Sequence, residues 1–217
     1  MFAMLISSYN PKHLGDVLIT MIKPDVAKQS FEKKENVVRI FNQETNETIG
    51  YNFFDVSETL IGLNGQGQVL LTADQVKLLN ELLTKVGFDD LLEEDSTPKF
   101  VVGYVEEMEA HPDSDHLHVT KTRVDNDQVL QIVCGAPNIE QDQTVVVAKE
   151  GAMMPTGAII WNGKLRGVES DGMICSAREL GLPNAPQKRG ILVLPADEYH
   201  VGDEFDFDKA ATLFTKN

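Results

Sequence analysis

Residues Gly167 to Leu182 read GVESDGMICSARELGL, and their punctuation is unusually complete. The stretch reads as a strand end, a tight turn and a one-turn helix. Ser176 sits at an N-cap position and Glu179 falls three residues later, the spacing of a capping box. Gly181 can take the left-handed conformation that closes a helix, and Pro183 forbids its continuation. Upstream, Ser170, Gly172 and Met173 form a turn with one apolar side chain. No hydrolase or nucleotide-binding signature has this shape.

Working outward, the residues after Pro98 form short strands separated by turns. Candidates are Phe100–Glu106, Leu117–Val124, Val129–Cys134, Thr144–Ala148, Ala158–Trp161, Lys164–Arg166 and Gly190–Leu194. Asn162-Gly163 is a two-residue hairpin signal between two of them. His111-Pro112 and Ala136-Pro137-Asn138 supply further turns. Many short strands with one brief helix predict a closed or nearly closed β-barrel of the OB type. The residues before Pro98 read differently. Asp16–Ile22 is a strand candidate, the first sixteen residues contain another, and Val37–Phe41 with Ile49–Phe54 flank the polar turn Asn42–Thr48. Ala73–Phe88 has helical periodicity, with Thr72 as N-cap, Gln75 at the capping-box position, and Val76, Leu79, Leu82, Leu83 and Val86 near one face. The expectation is a β-rich α+β protein: a small N-terminal α/β domain over 1–90, an acidic linker over 91–98, a barrel domain over 99–205 and a tail over 206–217. The glycines of Ile61–Gln68 are not followed by the Lys-Ser/Thr of a phosphate loop, so a turn is expected there.

The chain has 217 residues, a net charge of −15 and two cysteines. Neither half is basic, with −7 before Pro98 and −8 after it. That opposes a broad electrostatic grip on nucleic acid but not a small basic face on an acidic body. No apolar run reaches transmembrane length, and the start lacks the basic region of a signal peptide. Two cysteines make no disulfide framework, which fits a cytoplasmic protein. His111, His116 and His118 raise the thought of zinc. No Cys-x-x-Cys pair accompanies them, so no metal and no cofactor is expected. Cys134 ends an apolar strand and Cys175 precedes a cap; both suit buried roles, although a helix start can lower the Cys175 thiol's pKa.

Five motifs in order carry a resemblance: HPDSDHL (His111–Leu117), IVCGAPN (Ile132–Asn138), VAKEGAMMPTG (Val147–Gly157), LRGVESDGMICSARELGL (Leu165–Leu182) and GILVLP (Gly190–Pro195). They resemble the tRNA-binding OB domain of the bacterial phenylalanyl-tRNA synthetase beta subunit. They are also similar to the modules of methionyl-tRNA synthetases and endothelial-monocyte-activating polypeptide. The resemblance spans about Lys99 to Phe205. With its extra N-terminal domain, the whole chain resembles the YtpR family, free-standing relatives of the beta-subunit domain. This implies an OB fold and tRNA as partner, without aminoacylation, because the rest of a synthetase and any ATP-binding motif are absent. By position, Ser170 and Met173 match the family segment associated with RNA contact, with Ser176 beside it. Lys149, Lys164, Arg166 and Arg178 are the neighbouring cations able to track a phosphate backbone.

Each of these residues also has a structural reading. Helix capping alone explains Ser176 and Glu179. Met173 and Ile174 can be core. Arg166 and Arg178 can pair with Glu169 and Glu179 on a solvated surface. Gly135 and Pro137 suit a turn, and Asn138 can cap its own turn or reach a ligand. His116 stands where relatives place Lys or Arg, and Phe100, Tyr104 and Trp161 are the main aromatics of the barrel half. The expectation is therefore salt-sensitive, shape-directed tRNA binding with no catalytic residue. The rival is a protein-interaction module that keeps the barrel and binds a basic partner of the translation machinery. A homodimer is open.

Overall fold

The computed structural model describes residues 4–215; residues 1–3 and 216–217, the outer ends of the expected first domain and tail, lie outside the described residues. The chain forms two compact units that divide between Thr97 and Pro98.

The first unit is a six-stranded antiparallel sheet with a helix. Its elements are β1 (Ile6–Tyr9), the short helix α1 (Pro11–Leu14), β2 (Val17–Met21), β3 (Gln29–Lys34), β4 (Val37–Asn42), β5 (Thr48–Phe54), β6 (Gly67–Gln68) and α2 (Ala73–Val86). The strand order is β3-β4-β5-β2-β1-β6. The start of α2 follows from its sequence. Thr72 Oγ1 accepts from the Gln75 N–H (3.3 Å), and Gln75 Oε1 accepts from the Thr72 N–H (3.0 Å), which satisfies two otherwise orphaned donors. Gly87, at φ 82°, ends the helix and donates back to Leu83. Val76, Leu79 and Leu83 bury against Leu18, Tyr51 and Phe53 of the sheet. Each such burial contributes about 1.5–3 kcal/mol. The acidic stretch that follows is held along this unit. Leu92 joins the core, and its backbone makes two hydrogen bonds with the Asn80 side chain.

The second unit holds β7 (Phe100–Ala110), β8 (His118–Arg123), β9 (Val129–Cys134), β10 (Thr144–Ala148), β11 (Gly163–Leu165), β12 (Val168–Ser170), β13 (Met173–Ile174) and α3 (Phe207–Ala210). Five strands form one sheet in the order β13-β10-β7-β8-β9. The sheet curls, and the end of β12 with the residue after it bridges the gap to β9. The Asp171 N–H donates to the Gln131 carbonyl (2.8 Å), and the Val133 N–H donates to Ser170 Oγ (3.1 Å). The result is a nearly closed barrel. A bulge between Val105 and Glu107 lets the long β7 bend. Gly103 helps, because a Cβ there would lie 2.7 Å from the Val147 side chain. Strand β10 is buried along its whole length. Val145 and Val147 face the barrel interior with Val105, Ile132 and Ile174, while Val146 and Ala148 pack beneath Cys175, Leu180, Leu192 and Phe205. Burial on both faces explains an uninterrupted apolar run.

Four local expectations need correction. The Asn162-Gly163 pair does not turn the hairpin. Strands β11 and β12 pair Leu165 with Val168, so the two-residue turn is Arg166-Gly167. Both residues have positive φ, 47° and 83°, as a type I′ turn requires. Ala158–Trp161 is not a strand of the barrel: Ile159 makes one bridge, to Met153. Gly190–Leu194 likewise contributes a single bridge, from Val193 to Val145. After Ser176 the chain makes hydrogen-bonded turns rather than a full helix, with Leu180 N–H to Ser176 O at 3.1 Å and Gly181 at φ 67°.

Candidate nucleic-acid interface

The barrel brings together three separate segments around one cleft of about 330 Å³. These are the end of β9 with its turn (Val133–Pro137), residues of Met173–Glu179, and Arg189–Ile191. Pro137, Met173, Ser176, Arg178, Glu179 and Arg189 carry its accessible side chains, above a buried floor that includes Cys134 and Ile174.

The walls are fixed by side-chain bonds to backbone. Ser176 and Glu179 form the capping box. The Ser176 N–H (2.8 Å) and hydroxyl (2.7 Å) both donate to Glu179 Oε2, and the Glu179 N–H donates to Ser176 Oγ (3.2 Å). Asn138 fastens the other wall. Its Nδ2 donates to the Ile191 carbonyl (3.1 Å) and its Oδ1 accepts from the Ile191 N–H (2.8 Å). The amide thus takes the place of a strand partner. Gly190 is required for this approach: it sits at φ 147°, and a Cβ there would fall 2.6 Å from Asn138 Oδ1. The Asn138 side chain is engaged within the protein, which answers a question the sequence leaves open.

The expected contact residues take distinct places. Met173 is half-buried at the cleft. Ser170 is also half-buried, and its hydroxyl accepts from Val133 and donates to the Gly172 carbonyl (3.3 Å), tying β12 to β9. Ser170→Ala should therefore lower the melting temperature, by about 1 kcal/mol of stability for the bond lost. A melt unchanged from wild type would show that the hydroxyl is available to a ligand. Lys149 is drawn away from solvent: its ammonium lies 2.8 Å from both carboxylate oxygens of Asp125, with the two side chains only 13% and 12% exposed. Lys164 faces Glu169 across the hairpin at 3.6 Å, an exposed pair of little energetic weight. Arg166 reaches the Asp113 carbonyl (3.2 Å) rather than Glu169. His111, buried, accepts from the Asp113 N–H at Nδ1 (3.0 Å) and meets the Leu165 carbonyl at Nε2 (3.2 Å), which selects the Nε2–H tautomer. Together these bonds dock the His111–Asp115 loop onto the hairpin.

Arg178 is exposed and does not pair with Glu179. Among the described residues of this unit, Arg178, Lys188 and Arg189 are the Lys and Arg side chains without a hydrogen bond or ion pair. Sequence reading passed over Lys188 and Arg189, which lie in the Pro-bounded stretch PQKRG; the adjacent basic pair was the available signal. The thiols are not poised for chemistry. Burial pushes the Cys134 thiol up, and it pushes Cys175 up to about 12, opposite to the lowering that a helix start can give. Among the described residues, no three His, Cys, Asp or Glu side chains gather to hold a metal ion.

Comparison with known proteins adds the family. Residues 100–204 match a family model described as "Putative tRNA binding domain", and residues 24–95 match "Domain of unknown function (DUF4479)". A Bacillus subtilis protein named "Putative tRNA-binding protein YtpR" is 50% identical over 201 residues, 92% of this chain and 98% of its own. The phenylalanine–tRNA ligase beta subunit of Oceanobacillus iheyensis is 53% identical over 111 residues, which is 49% of this chain but 14% of that subunit. Among solved structures, the C-terminal domain of Plasmodium vivax p43 matches 56% of this chain and 78% of its own at 23% identity, with a TM-score of 0.35. Near-complete coverage at 50% identity is decisive, and the chain belongs to the YtpR family.

Proposed function

We propose that this protein binds tRNA, without catalysis, through the cleft side of its barrel unit, and that it does so in the cytoplasm. One observation carries the reading: the stretch matched as a tRNA-binding domain, 100–204, is the unit whose unpaired arginines gather at one cleft. Its relatives' names point the same way. The non-enzymatic part is supported by the thiols, which burial keeps protonated at neutral pH. It is also supported by the small share of the ligase that the chain covers. Among the described residues no helix is long and apolar enough to cross a membrane.

The test is filter binding of the full chain to bulk tRNA across salt. Three phosphate contacts predict a roughly 40-fold weaker association at 200 mM than at 50 mM salt. Absence of salt-dependent binding rejects the reading. The net charge of −15 favours one alternative, a protein-interaction module for a basic component of the translation machinery. Stable co-purification of such a protein with no RNA would support it.

A further inference from the structure

We propose that the cleft seats one unstacked nucleotide, its phosphate held by Arg178 and Arg189 and its base laid against Met173 and Pro137. This seat presupposes that the protein binds RNA, and it names the part of the RNA that enters.

The distribution of unpaired charge comes first. The barrel half carries −8, and three of its cations are met by carboxylates. Arg123 meets Glu106 at 2.7 Å, Lys149 is locked to Asp125, and Lys164 faces Glu169. Among the described residues Arg178 and Arg189 have neither an ion pair nor a hydrogen bond, and both line the same cleft from different segments of chain. Lys188 adjoins them. Arginine's planar fork matches two oxygens of one phosphate. In an acidic protein, two unpaired forks around one cavity make a local anion site against the long-range field.

Rigidity comes second. Arg178 projects from the turn closed by the Ser176–Glu179 capping box, whose next residue, Leu180, is buried. Arg189 precedes Gly190 and Ile191, which Asn138 holds from both sides of its amide. The guanidinium groups are thus mounted on anchored backbone. Glu179, the carboxylate on this rim, has one oxygen already accepting from the Ser176 N–H and hydroxyl, so its charge is drawn toward the turn.

Shape comes third. A cleft of about 330 Å³ is at the small end of ligand-sized cavities, with room for a single nucleotide and not for a helical groove. Its walls are apolar as well as charged. Met173 offers a polarizable thioether and Pro137 a ring face, which any base can contact without a hydrogen-bond code. Sequence-tolerant contact with an unstacked base is how proteins commonly grip single-stranded or looped RNA.

The test uses the full chain and bulk tRNA in filter binding across salt, with Arg178→Gln, Arg189→Gln and the double variant. Lys77→Gln, an exposed cation on α2, controls for net charge. Because the two arginines share one phosphate, the double variant should lower the salt slope by about 1 and each single variant by less, and Lys77→Gln should leave it unchanged. In methyl-labelled Met spectra, the Met173 resonance, identified through Met173→Leu, should shift with tRNA and with 5′-AMP but not with inorganic phosphate. The resonance of Met154, in the core, should stay in place in every variant and report that the fold is intact. A wild-type slope in the double variant, or a static Met173 resonance at saturating tRNA, overturns the seat while leaving RNA binding standing. A wild-type protein that binds no tRNA removes both. A Met173 shift produced by polyglutamate and not by 5′-AMP assigns the cleft to acidic peptides and also overturns the seat.

Discussion

Lys149→Met is expected to destabilise the barrel unit by about 3 kcal/mol while leaving tRNA affinity per folded molecule unchanged. The ammonium lies 2.8 Å from both oxygens of Asp125, and both side chains are almost sealed from water. Removing the cation leaves a carboxylate with the Asn126 amide (3.3 Å) as its remaining side-chain donor and little access to solvent, and that desolvation is the main cost. The loss corresponds to a fall on the order of 10 °C in the melting temperature of a domain this size. Pairing the change with Asp125→Leu removes the stranded charge and should recover most of the stability, because two apolar groups need no desolvation. Thermal melts of the single and double variants, with filter binding at a temperature where both are folded, decide the matter. A normal melt together with a lower salt slope would return Lys149 to the RNA contacts and sink its structural role.

Lys149 also marks the limit of what the sequence discloses. It stands in a family motif, one residue past a buried strand, and its charge alone suits a phosphate. Only the tertiary approach of Asp125, 24 residues away in the chain, shows that the charge is already neutralised. The same limit hid Arg189. A basic residue in a Pro- and Gly-rich stretch has no periodicity to place it, and its partnership with Arg178 exists only once Asn138 has drawn Ile191 in. Local chemistry was far more legible. Thr72 and Gln75 specify the start of α2 and Ser176 with Glu179 the closed turn, because capping acts within four residues, whereas the helix ends at Val86 with Gly87 as its left-handed cap rather than at the expected Phe88. The hairpin signal failed for a related reason. Asn-Gly favours a turn only where neighbouring strands can pair around it, and here Leu165 and Val168 pair around Arg166-Gly167 instead. The bury-everywhere pattern of Thr144–Ala148 pointed correctly to a strand, but not to the second layer of Leu180, Leu192 and Phe205 that covers its outer face.

Phe53→Ala should cost the first unit about 3–5 kcal/mol and still leave tRNA binding intact. Phe53 is fully buried in β5, opposite Leu18 of β2 and Val37 of β4, so its ring is shared by three strands and the helix side of the sheet. It also lies 5.9 Å from the Tyr51 ring, centroid to centroid. Truncation therefore removes an aromatic pair and leaves a void where neither strand can move in without breaking register. Among the described residues, the core of the first unit is drawn from Leu5 to Leu92. Units with separate cores can lose stability separately. Calorimetry should show the loss in one transition, and filter binding below that transition should give the wild-type affinity and salt slope. If affinity falls in step with the first unit's unfolding, the N-terminal domain shares in RNA recognition. The acidic sheet domain would then be part of the binding surface rather than a companion to it.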